Sequence, residues 1–250
     1  MSAFDVNKMT PLSEAAQRPA RAQSPCQACS VRHLTVCAPL DEREVQEVAA
    51  ISQNVEMSPG DPLFDEGEKA DQVFNVTAGT MKVYKLLSDG RRQVTGFLFP
   101  GDFLGLANND TYAYSAEAVT HATLCRFPRP KLDKLLERYP KMEKRLLSIA
   151  SHELAVAQEQ MLLLGRKTAK EKIASFLLTL SERAESRGQP GNPVSVPMSR
   201  TDIGDYLGLT TETVSRTFTN LRTGGTIALR NGGKVDILDL EALQDVAQGD

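Results

Sequence analysis

Short apolar runs separated by glycines fill the chain between residues 55 and 127, and they limit the fold more than any other sequence feature. Runs of this length with regular turn residues between them are typical of antiparallel sandwiches and jelly-roll barrels. An Asp-Gly pair at residues 89 and 90 tolerates the positive φ of a tight hairpin turn. The sequence therefore predicts an antiparallel β jelly-roll here. The apolar runs are 62–64, 72–76, 80–86, 93–99 and 116–127.

Beyond residue 130 the pattern becomes helical, and from residue 140 to residue 170 apolar residues recur alternately three and four positions apart. This spacing is typical of a coiled-coil seam, although a helix that packs on its own barrel carries nearly the same stripe. The polar residues His152 and Gln158 flank the stripe and favour contact with a second helix. We therefore predict a dimerisation helix and a homodimer. The predicted seam residues are Leu147, Ala150, Leu154, Ala157, Met161 and Leu164.

Two short helices with a glycine between them are predicted near the C-terminus, after a further helix over 169–185. Ser199 and Asp202 resemble a capping box that begins a helix over 200–207. Thr210 is an N-cap candidate for a second helix over 211–221, and Gly208 separates the two. Two short helices joined in this way make a helix-turn-helix.

The outward face of the second of these helices carries Glu212, Ser215 and Arg216 near its N-terminus. Arginine can donate two hydrogen bonds to guanine and glutamate can accept one from cytosine, so these residue types suit base reading in a major groove. An ordinary surface ion pair between Glu212 and Arg216 is the alternative. Runs typical of a β-hairpin lie on either side of residues 231–233. They favour base reading over a surface ion pair, because they predict a wing that touches phosphates. The predicted DNA contacts are Thr211, Glu212, Ser215, Arg216, Arg230 and Lys234.

The charge distribution agrees with a nucleic-acid partner for this part of the chain. The whole chain has a net charge of -3, yet residues 166–236 hold 11 lysines and arginines against 7 acidic residues. Positive charge is therefore concentrated where phosphate contacts are needed.

The four cysteines are arranged as three close together and one far downstream. Cys26, Cys29 and Cys37 lie in one short stretch, whereas Cys125 stands alone. This arrangement indicates a four-ligand site that ties two segments of the chain together. Four thiolates suit an iron–sulfur cluster or a structural zinc ion, and a thiol–disulfide sensor is a third alternative.

Composition excludes several classes of protein. No apolar run approaches the roughly 18 residues of a membrane span, and the first 25 residues lack the apolar core of a signal peptide. We therefore expect a cytoplasmic protein with reduced thiols and no membrane partner. The sequence has no glycine-rich phosphate loop and no convincing nucleophile–base pair, and its three histidines are scattered. We do not expect an enzyme.

The order of barrel, long helix and winged helix-turn-helix, together with three motifs, resembles the CRP/FNR family of bacterial transcription regulators over roughly residues 26–240. The motifs are Pro59-Gly60 with Gly67, the sequence Gly-Asp-Phe-Leu-Gly at 101–105, and Glu-Thr-Val-Ser-Arg at 212–216. The last is similar to the E-x-x-S-R signature of the FNR branch. That likeness implies binding to palindromes with half-sites similar to TTGAT.

The same resemblance implies what the cysteines do. Cys26, Cys29, Cys37 and Cys125 look like the FNR arrangement, which implies a [4Fe-4S] cluster that responds to oxygen and promotes dimerisation and DNA binding. Zinc or a thiol–disulfide sensor on the same scaffold remains the alternative. A haem-based gas sensor on this scaffold would not need the four cysteines.

The resemblance also bears on other ligands and partners. Family members that bind cyclic AMP carry a glutamate and an Arg-Ser pair where this chain has Leu106 and Tyr114-Ser115. Cyclic AMP is therefore not the expected effector. The hairpin over 85–95 resembles the surface with which activators contact RNA polymerase, which makes the polymerase an expected partner.

These expectations divide an α+β protein into four parts. Residues 1–25 are predicted to be a flexible arm, and residues 26–130 a cysteine loop with a cyclic-nucleotide-binding-like β-barrel that acts as the sensor. Residues 131–168 are predicted to be the dimerisation helix region. Residues 169–250 are predicted to form the winged helix-turn-helix domain.

Overall fold

The computed structural model describes residues 26–106 and 110–249, and β-strands dominate the first half of them. The strands are β1 (Gln53–Met57), β2 (Pro62–Phe64), β3 (Gln72–Ala78), β4 (Met81–Leu86), β5 (Arg92–Leu98), β6 (Phe103–Leu104), β7 (Ser115–Ala118) and β8 (Ala122–Pro128). They form two antiparallel sheets, ordered β1-β8-β3-β6 and β2-β7-β4-β5. Phe74, Met81 and Leu124 are among the buried residues that fill the space between the sheets. The predicted antiparallel barrel is confirmed, whereas the predicted flexible arm lies outside the described residues.

A close contact between two turns shapes one end of the barrel. The predicted run over 116–127 is two strands, and the turn that joins them lies against the turn between β3 and β4. Gly79 in that second turn has φ +81°, and a Cβ atom there would lie 2.1 Å from the carbonyl oxygen of His121. Only glycine fits at this position, for steric as well as conformational reasons.

The cysteine loop, residues 26–40, packs on the outside of the sheet that contains β8. It is a series of turns that ends at α1 (Glu42–Ile51), where Asp41 and Glu44 form a capping box. A second buried cluster, between the cysteine loop, the helices and the barrel, includes Cys26, Val36 and Phe127. The second helix, α2 (Arg129–Arg138), follows β8 directly. The loop is therefore joined to the barrel by a buried apolar layer.

One long helix, α3 (Pro140–Arg166), leads away from this layer. Of its 27 residues only Met142 is buried, and Leu146 and Ile149 pack partly against the same core. Within the described residues, no helix is both long and apolar enough to cross a membrane.

The C-terminal domain, residues 169–249, is built from four helices and a small sheet. The helices are α4 (Ala169–Glu185), α5 (Arg200–Leu207), α6 (Thr211–Thr223) and α7 (Leu240–Gln248), and the strands are β9 (Val194–Ser195), β10 (Ile227–Arg230) and β11 (Lys234–Ile237). Ser199 and Asp202 form the predicted capping box, and Gly208 ends α5 in the left-handed conformation. The antiparallel pair β10–β11 directly follows α6. The predicted helix-turn-helix and wing are both present.

The C-terminal domain packs directly on the barrel. Phe97 of β5 contacts Phe176 of α4 and Tyr206 of α5, with ring centroids 6.2 Å and 5.1 Å apart. Lys82 of β4 donates a hydrogen bond to Asp202 of α5 at 2.9 Å, and these residues are only 5% and 7% exposed. The two domains therefore share one continuous core with a buried ion pair inside it.

Candidate sensor site and nucleic-acid interface

The four cysteines line one small cavity of about 20 Å³ between the cysteine loop, α1 and the barrel. Cys26, Cys29 and Cys37 come from the loop, and Cys125 comes from β8, which is an inner strand of its sheet. The fold thus brings together residues from the two distant segments that the sequence suggested. Among the residues that the structure describes, however, no three His, Cys, Asp or Glu side chains form a group that could hold a metal ion.

Burial controls the protonation of these thiols. It raises the pKa of Cys37 to about 12, against a smaller opposite effect of the hydrogen bond with Thr35. Burial, together with a smaller contribution from repulsion by the three loop cysteines, also raises the pKa of Cys125 to about 12. Both thiols therefore hold their protons at neutral pH in the metal-free protein. Metal binding would displace these protons.

Two asparagines flank Cys125 in the sheet. Asn54 of β1 and Asn75 of β3 both lie directly opposite Cys125, one on each side. The Cys125 thiol donates a long hydrogen bond of 3.9 Å to Oδ1 of Asn54. Asn75 is buried and lines the cysteine cavity. By contrast, His33 is exposed and is not among the residues that line this cavity.

The middle of the cysteine loop contacts both the long helix and the barrel. Arg145 of α3 donates a hydrogen bond to the carbonyl oxygen of Leu34 at 2.7 Å. The side chain of Leu34 packs on Gly101, where an added Cβ would lie 2.7 Å from the Cβ of Leu34. The next residue, Asp102, pairs with Arg183 of α4 at 2.8 Å. No sequence motif marks Leu34 or Arg145, and sequence reasoning missed both.

The residues that stand where cyclic-AMP-binding members of the resembled family carry an Arg-Ser pair make hydrogen bonds within the chain. The backbone N–H of Gly105 donates to the hydroxyl of Tyr114 at 3.2 Å. The hydroxyl of Ser115 accepts from the backbone N–H of Glu66 at 2.9 Å. Arg129 donates to the carbonyl oxygens of Ala70 and Gly105. Tyr114 and Ser115 therefore already have hydrogen-bond partners within the chain.

The outer face of α3 is strongly apolar and exposed. Leu147, Leu154 and Met161 are 66%, 60% and 68% exposed, and Ala157 is also exposed. The other two predicted seam residues, Ala150 and Leu164, are half-buried against their own chain. Leu162, which is not one of the predicted seam residues, is 68% exposed.

The second helix of the helix-turn-helix presents the predicted reading residues to solvent. Thr211, Glu212, Ser215 and Arg216 of α6 are exposed, and the opposite face is buried through Val214, Phe218 and Leu221. Glu212 and Arg216 form no ion pair among the ion pairs of the described residues, so the alternative of a surface pair is not what the structure contains. The guanidinium of Arg216 is thus available to a partner.

The two predicted phosphate contacts of the wing differ in their surroundings. Arg230 of β10 pairs with Asp236 of β11. Lys234 lies opposite Arg230 in the hairpin and is exposed. Of these two side chains, that of Lys234 is therefore the more available for a phosphate contact.

The β4–β5 hairpin has two arginines with different partners, one at its exposed turn and one against α5. Arg91 pairs with Asp89 at the exposed turn. Arg92 instead pairs with Asp202 at 2.7 Å and with Asp205 at 2.8 Å, and both are in α5. Arg92 therefore belongs to the contact between the barrel and α5, and only Arg91 lies at the exposed tip of the hairpin.

Two family models match the chain. Residues 54–139 match the cyclic nucleotide-binding domain, and residues 171–246 match the Crp-like helix-turn-helix domain. The first covers the barrel and α2, and the second covers nearly all of the C-terminal domain. A helix-turn-helix of this kind binds DNA through its second helix.

Known proteins are similar over most of their length. The nitrogen fixation regulation protein FixK of Bradyrhizobium diazoefficiens is 41% identical, and the match covers 89% of this chain and 93% of FixK. The transcriptional activatory protein AadR of Rhodopseudomonas palustris is 44% identical, with 84% and 88% covered. The transcriptional activator protein FnrA of Stutzerimonas stutzeri is 37% identical, with 95% and 98% covered.

Among solved structures, FixK2 from Bradyrhizobium japonicum has a TM-score of 0.73 at 35% identity, covering 78% of this chain and 97% of FixK2. A regulator of the CRP family from Thermus thermophilus, TTHB099, has a TM-score of 0.64 at 25% identity, with 78% and 96% covered. The chain has the fold, the helix-turn-helix and the near full-length relatives of one group of proteins, and it belongs to the CRP/FNR family of DNA-binding transcription regulators.

Proposed function

We propose that this chain is a homodimeric transcription activator that responds to oxygen through a [4Fe-4S] cluster held by Cys26, Cys29, Cys37 and Cys125. The observation that carries the proposal is that all four cysteines line one cavity between the cysteine loop and β8. The names of the relatives AadR and FnrA, both described as activating proteins, support the activator role.

The cavity supplies the ligand types of such a group, although the described cysteine side chains do not converge on a metal-sized site and would have to move together to hold it. Four thiols are the full ligand set of a [4Fe-4S] cluster. The buried oxygen Oδ1 of Asn75 has no hydrogen-bond partner in the metal-free protein. Buried polar side chains are nearly always bonded, so an unpaired one beside four thiols favours a bound group at this place. When bound, the cluster supplies an oxygen-labile link between the cysteine loop and the barrel.

A change in the position of the cysteine loop would affect α3 through the hydrogen bond between Leu34 and Arg145. If the four cysteines are held together, the loop stays against β8, and the carbonyl oxygen of Leu34 stays within reach of Arg145. Arg145 lies on α3, two residues before the exposed seam residue Leu147. Release of the loop would remove the acceptor of Arg145 and free the start of α3 to shift.

The exposed stripe of α3 fits a second copy of the chain. Leu147, Leu154 and Met161 are each seven residues, or about two helical turns, from the next, which is the heptad spacing of a coiled-coil seam. A dimer formed there would set two copies of α6 side by side. Dimeric helix-turn-helix proteins place their recognition helices about 34 Å apart, so that both enter successive major grooves of a palindrome.

The reading residues of α6 support TTGAT-like half-sites. Glu212, Ser215 and Arg216 are exposed at the N-terminal part of the helix and match the E-x-x-S-R signature of the FNR branch. The side chain of Lys234 would add a phosphate contact from the wing. RNA polymerase is the further partner, with the exposed tip of the β4–β5 hairpin as its contact surface.

The sensor half of the proposal is tested by purifying the protein without air and measuring iron, acid-labile sulfide and the absorption spectrum. We expect four iron atoms and four sulfides per chain in a [4Fe-4S] cluster, and loss of both in Cys125→Ser. A colourless protein with bound zinc would support the structural-zinc alternative. A colourless protein without metal would leave the thiol–disulfide alternative, and a haem spectrum would refute the cluster.

The DNA half is tested with Arg216→Ala, and Arg222→Ala serves as the control. Arg222 is exposed in the last turn of the same helix, away from the N-terminal reading face. Loss of Arg216 should weaken binding to the palindrome by about 1–3 kcal/mol and relax specificity at one base pair. Equal weakening on every sequence would mean that Arg216 contacts only phosphate.

A further inference from the structure

The side chain of Asn75 in the sensor domain contains a buried polar atom without a hydrogen-bond partner. Its Oδ1 is the one buried side-chain nitrogen or oxygen atom of the described residues that lacks a hydrogen-bond partner. The residue is 2% exposed, and it sits in the middle of β3 among apolar neighbours. An amide is a costly residue to bury in this way unless a group from outside the chain bonds to it. The position therefore needs a partner that the chain alone does not supply.

The sheet register aims Asn75 at the cysteine cavity. Asn75 of β3 lies directly opposite Cys125 of β8, and residues in such a pair project from the same face of a sheet. Both residues line the cavity. On the other side of β8, Asn54 also lies opposite Cys125, but it is exposed. Cys125 is thus flanked by one buried amide and one amide in solvent.

The amide of Asn75 has the right chemistry for a bound thiolate. Its NH2 group offers two donors, and a thiolate bound to metal is an acceptor. Because Oδ1 has no hydrogen bond to lose, the amide can turn about its broad terminal torsion and direct Nδ2 at the sulfur. Hydrogen bonds to cluster sulfurs stabilise the reduced, more negative state and so raise the reduction potential.

We propose that Asn75 is a positioning residue of the sensor site, and that its amide donates a hydrogen bond to the sulfur of metal-bound Cys125 and so slows oxidation of the cluster. This inference rests on the proposed function. Asn75 would then set the oxygen sensitivity of the site. Asn54 would not have this effect, because water can replace its amide.

The test compares Asn75→Leu with the matched control Asn54→Leu, both purified without air and loaded with ferrous iron and sulfide. Leucine has a similar shape to asparagine and no polar atom. For Asn75→Leu we expect at least a tenfold shift of the one-electron oxidation equilibrium, which corresponds to a potential about 59 mV lower. Absorbance of the cluster should also decay faster in air. Asn54→Leu should change both quantities by less than Asn75→Leu does.

The melting temperature of the metal-free proteins is a second measurement. If Asn75 had a merely structural role, its loss would lower this temperature, which is the opposite of what the inference predicts. Since Oδ1 of Asn75 is unpaired without metal, metal-free Asn75→Leu should melt at the same temperature as the parent or higher. A lower melting temperature together with an unchanged potential would overturn the inference.

The conservative variant Asn75→Thr keeps a donor on a residue that suits a strand. It should hold the cluster at a potential between those of the parent and Asn75→Leu, even if Asn75→Leu takes up little iron. A threonine variant no better than the leucine variant would overturn the inference. Failure of the parent protein to bind iron and sulfide would instead refute the proposed function, and the inference with it.

Discussion

Replacing Lys82 by methionine tests whether the barrel and the C-terminal domain are held together by a buried ion pair. The ammonium group of Lys82 lies 2.9 Å from a carboxylate oxygen of Asp202 and 2.8 Å from one of Glu117. Removing one partner of a buried pair typically costs about 3–5 kcal/mol, because the other charge stays buried without compensation. Asp202 would keep its pair with Arg92 at 2.7 Å. We therefore expect the lower end of that range, about 3 kcal/mol.

A matched control lies on the same strand. Lys85 pairs with Glu66 at 2.7 Å, but its side chain is 50% exposed and that of Glu66 is 39% exposed. Exposed pairs contribute about 0–1 kcal/mol, so Lys85→Met should change the free energy of unfolding by less than about 1 kcal/mol. Both variants have the same chemistry, the same strand and the same partner distance to within a few tenths of an ångström.

The assay is urea unfolding of metal-free protein, followed by circular dichroism. A double-mutant cycle with Asp202→Asn isolates the contact, and we expect a coupling energy between Lys82 and Asp202 of about 0.5–3 kcal/mol. If Lys82→Met costs no more than Lys85→Met, or if the coupling is zero, the domains do not pack in solution through this ion pair, and the reasoning fails.

Three other outcomes are expected. Leu154→Glu should shift the protein towards monomer in sedimentation at micromolar concentration, because two carboxylates would meet in the seam; an unchanged dimer would exclude Leu154 from it. Gly79→Ala should destabilise the protein more than Gly90→Ala in urea, since both have positive φ but only Gly79 would press a Cβ against backbone; equal losses would contradict the close contact. The pKa of Asp202 is held below its usual value in the folded state, so the stability that its carboxylate contributes is present above about pH 4 and is lost as the pH falls through the folded pKa. Asp202→Asn should therefore lose less stability in acid than the parent protein does. An equal loss would refute this.

That shift at Asp202 is the net of opposing effects. Burial alone would raise the pKa of the carboxyl group. Hydrogen bonds from Ser199 and Lys82 and the charges of Lys82 and Arg92 act in the other direction and outweigh it. Removal of Lys82 should therefore also weaken the acid dependence.

Local signals in the sequence located α4, α5 and α6 of the C-terminal domain, whereas α7 was not predicted. The capping box of Ser199 and Asp202 and the left-handed Gly208 are determined by a few adjacent residues, and both are present as predicted. The helix predicted over 169–185 has those same bounds. Caps act within one turn of a helix, so the sequence nearby contains most of the information about where they fall.

Contacts between distant segments were not predictable in the same way. Asp202 was assigned only to a helix cap, yet it also accepts from Lys82, which lies 120 positions earlier in the chain. Periodicity shows that a side chain points inward or outward, but not which element it meets. For the same reason Asn75 was absorbed into an apolar run, and its place opposite Cys125 became visible only with the sheet register.

The seam of α3 shows an intermediate case. The helix was predictable from its apolar spacing, but adjacent residues of it differ in whether they face the chain itself or solvent. Leu163 packs on the core while Leu162 is exposed and Leu164 is half-buried. A shift of one residue turns a helix position by about 100°, so the pattern alone does not separate these flanks.

The ion pairs between β4–β5 and α5 have a consequence for how regulators of this kind can be recombined. Two separate family models match the two halves of the chain, which suggests parts that could be exchanged. A chimera joined near Thr168 would nevertheless place Lys82 and Arg92 against a foreign α5. Unless that helix carried acids at the positions of Asp202 and Asp205, Arg92 would lose both of its carboxylate partners and Lys82 would keep only Glu117. Exchange of DNA specificity is therefore simpler by grafting the exposed face of α6 than by swapping the whole domain.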